Sequence, residues 1–144
     1  MPRAAAACAF CAIAAGADEG HLVHEDGDVI AFLDRSPLVK GHVLVATRSH
    51  VETLDDLPPD LIEPLFALVQ RVSRAVQRSL GADGSLTMAN TRISQSVPHV
   101  HVHVVPRHQG DGLFRAGMVW IRKRYQDGEA AQLAARLREA IAAS

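Results

Sequence analysis

Apolar positions along the chain follow two rhythms. Between Pro59 and Leu80 they recur every three or four residues, at Leu61, Leu65, Leu68, Val69, Val72, Val76 and Leu80, with Gln70, Arg71, Arg74, Gln77 and Arg78 between them. This spacing predicts an amphipathic helix stopped at Gly81. An internal proline removes one hydrogen bond and crowds the preceding turn, so Pro64 predicts a kink or a later start. Leu133, Leu137 and Ile141 predict a C-terminal helix over 129–143, and the Ala-rich stretch 8–16, closed by Gly16, a short N-terminal one. The remaining apolar runs are short and bounded by turn residues. Segments 21–25 and 29–34 flank Asp26-Gly27-Asp28 and predict a hairpin; 41–47, 85–90 and 97–106 predict three further strands. The fold class expected is α+β: a largely antiparallel five-stranded sheet packed with a long central helix.

The last of these strands is unlike the others. Val97-Pro98-His99-Val100-His101-Val102-His103-Val104-Val105-Pro106 alternates imidazole and valine. In a strand, His99, His101 and His103 would share one face, roughly 6.5 to 7 Å apart, and the valines the other. Three histidines in register suit neither a solvated face nor a core. They call for chemistry or for a metal. A neutral imidazole is a good nucleophile toward phosphorus, and its neighbours can bind phosphate oxygens or move a proton. The rival is cation chelation by HxH on a strand.

Composition narrows the partners. At 144 residues and 48% hydrophobic content the chain has the size and apolar stock of one domain, 1–144. A formal net charge of -1 suggests neither a polyanion nor a membrane surface, and 4% aromatics argue against a stacked single-strand platform. No nucleic acid polymer and no membrane partner are therefore expected. No apolar run approaches the ~20 residues of a membrane span. The N-terminal Ala tract is broken at once by Cys8, Phe10 and Cys11, and a cytoplasmic location is expected.

Cys8 and Cys11 are too few for a disulfide framework. Their CxxC spacing offers half of a zinc site, a redox pair, or two buried thiols. His42, on an apolar strand, is a stronger functional candidate than His21 and His24. The cluster Arg115, Arg122, Lys123 and Arg124 around Trp120 and Tyr125 reads first as a solvated basic surface and second as a reach toward additional phosphates.

The segment Gln95-Ser96-Val97-Pro98-His99-Val100-His101-Val102-His103-Val104-Val105-Pro106 resembles the signature of the histidine triad (HIT) superfamily of nucleotide hydrolases and transferases, HφHφHφφ with φ hydrophobic. Cys8-Ala9-Phe10-Cys11, Val29 to Asp34, Lys40 to Val45 and Arg48-Ser49-His50 are similar to segments that the family places in the same order, so the resemblance covers about 8–108 and leaves the tail 109–144 less diagnostic.

The resemblance implies a homodimer acting on a purine nucleotide, a phosphoramidate or a dinucleoside polyphosphate, with no cofactor required for the chemistry. His101 would be the nucleophile that attacks the α-phosphorus and holds the nucleotidyl group. His103 would bind a phosphate oxygen, with His99 and His42 orienting the nucleophile and balancing charge. Ser96 and Gln95 would contact phosphate and leaving group, and Asn90 would be a polar contact before them. Phe10, Ile13 and Phe32 would wall the base, and Asp34 would accept the ribose hydroxyls. The resemblance also implies a structural zinc on Cys8, Cys11, His50 and His99, which would make His99 a scaffold residue. One departure is local: Ser94 stands where better-known branches have a glycine before Gln95, and 90–93 contains none. From another class, a nucleotide-binding or partner-binding module with little catalysis is the alternative.

Overall fold

The computed structural model describes residues 7–115 and 121–144. Helix α1 (Ala9–Ala14) leads into strands β1 (Leu22–Glu25), β2 (Val29–Leu33) and β3 (Val43–Thr47). A 3-10 turn (Leu54–Asp56) precedes the long helix α2 (Pro59–Leu80), then come β4 (Gly84–Met88), β5 (His101–Arg107) and helix α3 (Glu129–Ala142). All strand pairings are antiparallel, in the order β1-β2-β3-β5-β4. The α+β architecture expected from the sequence is the one formed.

Strict alternation gives the sheet two different faces. Val29, Ala31 and Leu33 of β2, Val43 and Val45 of β3, and Val102 and Val104 of β5 enter one core with Leu65, Leu68, Val69, Val72 and Val76 of α2 and Leu137 and Ile141 of α3. Ile30, Phe32, Leu44 and Ala46 point the other way, against Phe10, Ile13 and Ala14 of α1. This second face also carries the histidines. In register, Leu44 lies opposite His103 and Ala46 opposite His101.

Two boundaries differ from the sequence expectation. Helix α2 begins at Pro59 and includes Pro64. The hydrogen bond lost is the one to the Asp60 carbonyl, in the exposed first turn where water can replace it. The histidine strand begins at His101, four residues later than the pattern predicts. Pro98 has no N–H for a ladder, the His99 N–H turns to the Val97 carbonyl, and the Val100 N–H bonds to Val51 rather than to a strand. His99 therefore lies just outside the sheet.

The turn ahead of β3 is sterically fixed. Gly41 has φ +97, and a Cβ there would fall 2.4 Å from Leu80 Cδ1. Its N–H donates to the Tyr125 hydroxyl (3.1 Å), which ties the chain before His42 to the C-terminal segment. Among the described residues no helix is long and apolar enough to cross a membrane.

Candidate active site and adjoining metal cluster

The four histidines of interest are nearly fully buried, and their partners define which nitrogen carries each proton. Leu38 N–H donates to His42 Nδ1 (3.1 Å), so the His42 proton sits on Nε2, which faces His103 Nδ1 at 2.9 Å. His103 Nδ1 thus accepts, leaving its Nε2–H as a donor. His101 Nδ1 faces the His99 carbonyl at 2.6 Å and must donate to it. The lone pair of His101 is consequently on Nε2. A backbone N–H at one end and a backbone carbonyl at the other thus set a donor and a nucleophilic nitrogen on adjacent imidazoles, whose ring centroids are 5.0 Å apart.

Burial keeps these rings neutral. Desolvation lowers the His42 pKa to about 3, with the Asp34 charge opposing and the neighbouring histidines adding to the drop. Burial likewise lowers His103 to about 4 and His99 to about 4, and depresses His101. At neutral pH His101 Nε2 has an available lone pair, as nucleophilic attack requires.

The His101 and His103 rings open onto a cavity of about 360 Å³ lined by Phe10, Ile13, Phe32, Leu44, Asp34, Ser96, Val97 and Arg122, among others. Its apolar end is aromatic: Phe10 packs edge-on against Phe32 (4.9 Å) and His101 (5.0 Å). At its polar end Asp34 Oδ1 accepts the Ser36 N–H (2.9 Å), while Oδ2 accepts from Arg122 (3.1 Å) and lies 3.8 Å from His42 Nδ1. An apolar slot, a carboxylate and a pair of imidazoles follow one another along one concavity.

The structure brings Phe10, Ile13, Phe32, Asp34, Ser96, His101 and His103 to this cavity and sets His42 directly behind His103. It does not bring Asn90 or Gln95 there. Asn90 Nδ2 donates to the Ser94 carbonyl, and Gln95 bridges the Arg92 N–H and the Glu52 carbonyl, so both shape the loop that carries Ser96. Arg92 (φ 66) and Ser94 (φ 61) in that loop take the left-handed conformation usually given to glycine.

Arg122, read from the sequence as solvated surface, points into the cavity. The fold delivers it by pairing Lys123 N–H with the Pro37 carbonyl (2.8 Å), a contact across 86 residues of chain that no local pattern announces. Trp120 lies outside the described residues.

His99 belongs to a second cluster. Its Nε2 must donate to the Thr47 carbonyl (2.7 Å), which frees Nδ1 to face Cys8 Sγ at 3.4 Å and Cys11 Sγ at 3.5 Å. His50 Nδ1 lies 3.3 Å from Cys11 Sγ. The four donor atoms are within 4.8 Å of one another. The Cys11 thiol is pushed up to about 11, by burial first and then by Cys8 beside it. Two adjacent thiols, two imidazoles and a buried His50 Nε2 that has no partner among the described residues form a donor set that a tetrahedral cation fits. Asp34, His42 and His103 also gather, but the tautomers described leave His42 no lone pair for a metal.

Residues 16–110 match the HIT domain family model. The chain belongs to the HIT domain family. An uncharacterised HIT-like protein of Mycobacterium tuberculosis is 39% identical over 137 residues, covering 94% of this chain and 93% of that protein. A zinc-bound histidine triad family protein from Mycobacterium smegmatis has a similar structure, with a TM-score of 0.83, 34% identity and 96% of each chain covered. An adenylylsulfatase of Arabidopsis thaliana is 30% identical over 128 residues, covering 88% of this chain and 65% of that one. Within the HIT signature, His101 and His103 are the two histidines that the cavity exposes.

Proposed function

We propose that this HIT protein is a nucleotide hydrolase or transferase that cleaves a bond to the α-phosphate of a purine nucleoside 5′-monophosphate through a nucleotidyl-His101 intermediate. The observation that carries this reading is the fixed tautomer of His101. With Nδ1–H held by the His99 carbonyl, Nε2 presents its lone pair to the cavity beside the donor Nε2–H of His103.

In the proposed reaction the base lies between Phe10, Ile13 and Phe32, the ribose hydroxyls donate to Asp34, and Ser96 and His103 contact the phosphate oxygens. His101 Nε2 attacks phosphorus, a P–N bond forms, and the bond to the leaving group breaks with its electron pair going to that group. Water then adds to phosphorus, the P–N pair returns to Nε2, and a proton is released. His42 holds the His103 tautomer throughout. The substrate class includes phosphoramidates, dinucleoside polyphosphates and, on the name of the Arabidopsis relative, adenylyl sulfate.

We also assign Cys8, Cys11, His50 and His99 as a zinc site. The tautomer of His99 and the paired thiols support it, as does the zinc in the M. smegmatis relative. Zinc held there would cross-link α1 to the segment before β5, at a residue two positions before His101. A homodimer is part of the same reading; Ile62 and Phe66, one turn apart on α2, are exposed apolar side chains suited to a subunit contact.

His101→Ala is expected to lower turnover of an adenosine phosphoramidate and of a diadenosine polyphosphate by roughly 1,000-fold or more. Full turnover in that variant would refute the mechanism. Tight binding of adenosine monophosphate without cleavage of either compound would favour a nucleotide-binding module instead.

A further inference from the structure

The charge balance of the cavity singles out Arg122. The histidines that face it are neutral, Asp34 supplies a negative charge, and Arg35 at the rim is committed to Asp18. Arg122 reaches in from the C-terminal segment and donates through one guanidinium nitrogen to Asp34 Oδ2 (3.1 Å) and the Ser36 carbonyl (2.7 Å). The side chain is half exposed, whereas Asp34 is mostly covered, so the guanidinium is the partner with room to move. The chain that follows is tied to the loop before β3: the Lys123 N–H donates to the Pro37 carbonyl, and the Tyr125 hydroxyl accepts the Gly41 N–H.

A ribose that donates its hydroxyls to Asp34 competes with Arg122 for the same oxygen. The displaced guanidinium would stay within the cavity that Arg122 lines together with His101 and His103. Without this cation, the second charge of a nucleotide with charge on both sides of its scissile bond would find, among the described lining residues, no cation but Arg35, which Asp18 holds. With it, the second charge is matched by a planar donor suited to sulfate, phosphate or carboxylate oxygens.

We propose that Arg122 is a specificity-determining residue that reads the charge of the leaving group and directs the site to nucleotide anhydrides, whose leaving group departs as an anion, over phosphoramidates, whose leaving group is an amine. It rests on the nucleotide reading above. In the anhydride, His101 Nε2 forms the P–N bond while the P–O bond to the leaving group breaks. The electron pair leaves on that oxygen, and Arg122 meets the charge as it develops. An amine gains nothing from the guanidinium.

The test compares adenosine 5′-phosphosulfate with adenosine 5′-phosphoramidate on the full chain and on Arg122→Met and Arg122→Lys. The kcat/KM ratio, phosphosulfate over phosphoramidate, is expected to fall roughly 10- to 100-fold in Arg122→Met and to recover in large part in Arg122→Lys. An unchanged ratio in Arg122→Met would overturn the assignment, as would equal loss on both substrates in both variants, which would make Arg122 only a support for Asp34. If the wild-type chain cleaves neither compound, the catalytic reading fails on its own. The ratio of dissociation constants for the phosphosulfate and for adenosine then decides Arg122: a fall in relative phosphosulfate affinity in Arg122→Met supports it, and no fall overturns it.

Discussion

At the scale of single residues, hydrogen bonds to the backbone divide three histidines of similar sequence context among different tasks. Periodicity shows that His99, His101 and His103 belong together, but it treats them alike. The carbonyls of Thr47 and His99 and, through His42, the N–H of Leu38 assign the protons, and these partners lie elsewhere in the chain or depend on where β5 begins. That information is absent from an alternating pattern. Arg122 was illegible for a similar reason, since its partners Asp34 and Ser36 precede it by more than 80 residues.

Ser94 gives a prediction at this scale. A left-handed non-glycine residue costs about 1–2 kcal/mol, against about 0.5–1 kcal/mol for the added freedom of glycine in the unfolded chain. Ser94→Gly is therefore expected to raise stability by about 0.5–1 kcal/mol, read by urea denaturation. A destabilised variant would show that the serine side chain does more in the loop than its φ of 61 suggests.

Among elements, α1 and the segment before β5 form one unit. The Phe10 ring touches Phe32, His99 and His101, while Cys8 and Cys11 on the same short helix face His99. Six residues are too few to make a stable helix alone, so this one depends on what it is tied to. Purified protein is expected to hold about one zinc per chain by elemental analysis, lost in Cys8→Ala/Cys11→Ala with a marked drop in thermal stability. Metal retained in that variant would move the ligand set to the triad face. The CxxC and both histidines were readable in the sequence through their family resemblance. Residue types alone left zinc, redox and buried-thiol readings open, because spacing within α1 says nothing of what lies across from it.

For the whole molecule, the alternation of β2, β3 and β5 was the most legible feature, since a period of two determines which side chains share a face. One face forms the helix-backed core and the other the cavity, so the site is built on the interior strands of the sheet. Placing neutral imidazoles there has a cost in acid. His42 and His103 have folded pKa values of about 3 and about 4, below the ~6.5 of an unfolded histidine. Below pH ~6.5 the unfolded chain binds protons that the folded chain refuses, so stability falls as pH drops. The loss is expected to reach roughly 1.4 kcal/mol per pH unit per histidine between about pH 6 and 4. Denaturation followed at several pH values should show this slope and its reduction in His42→Gln. A flat profile over that interval would mean that the rings are not desolvated as described.

The claim on which all three scales converge is that His101 Nε2 becomes covalently bonded to phosphorus. The most direct test is a single-turnover reaction with an adenosine phosphoramidate or adenosine 5′-phosphosulfate, quenched in alkaline denaturant and read by intact-protein and peptide mass spectrometry. A transient mass gain of one adenylyl group, mapped to His101 and absent from His101→Ala, is the predicted result. Turnover that proceeds with no adduct at any time point, and that persists in His101→Ala, would contradict it.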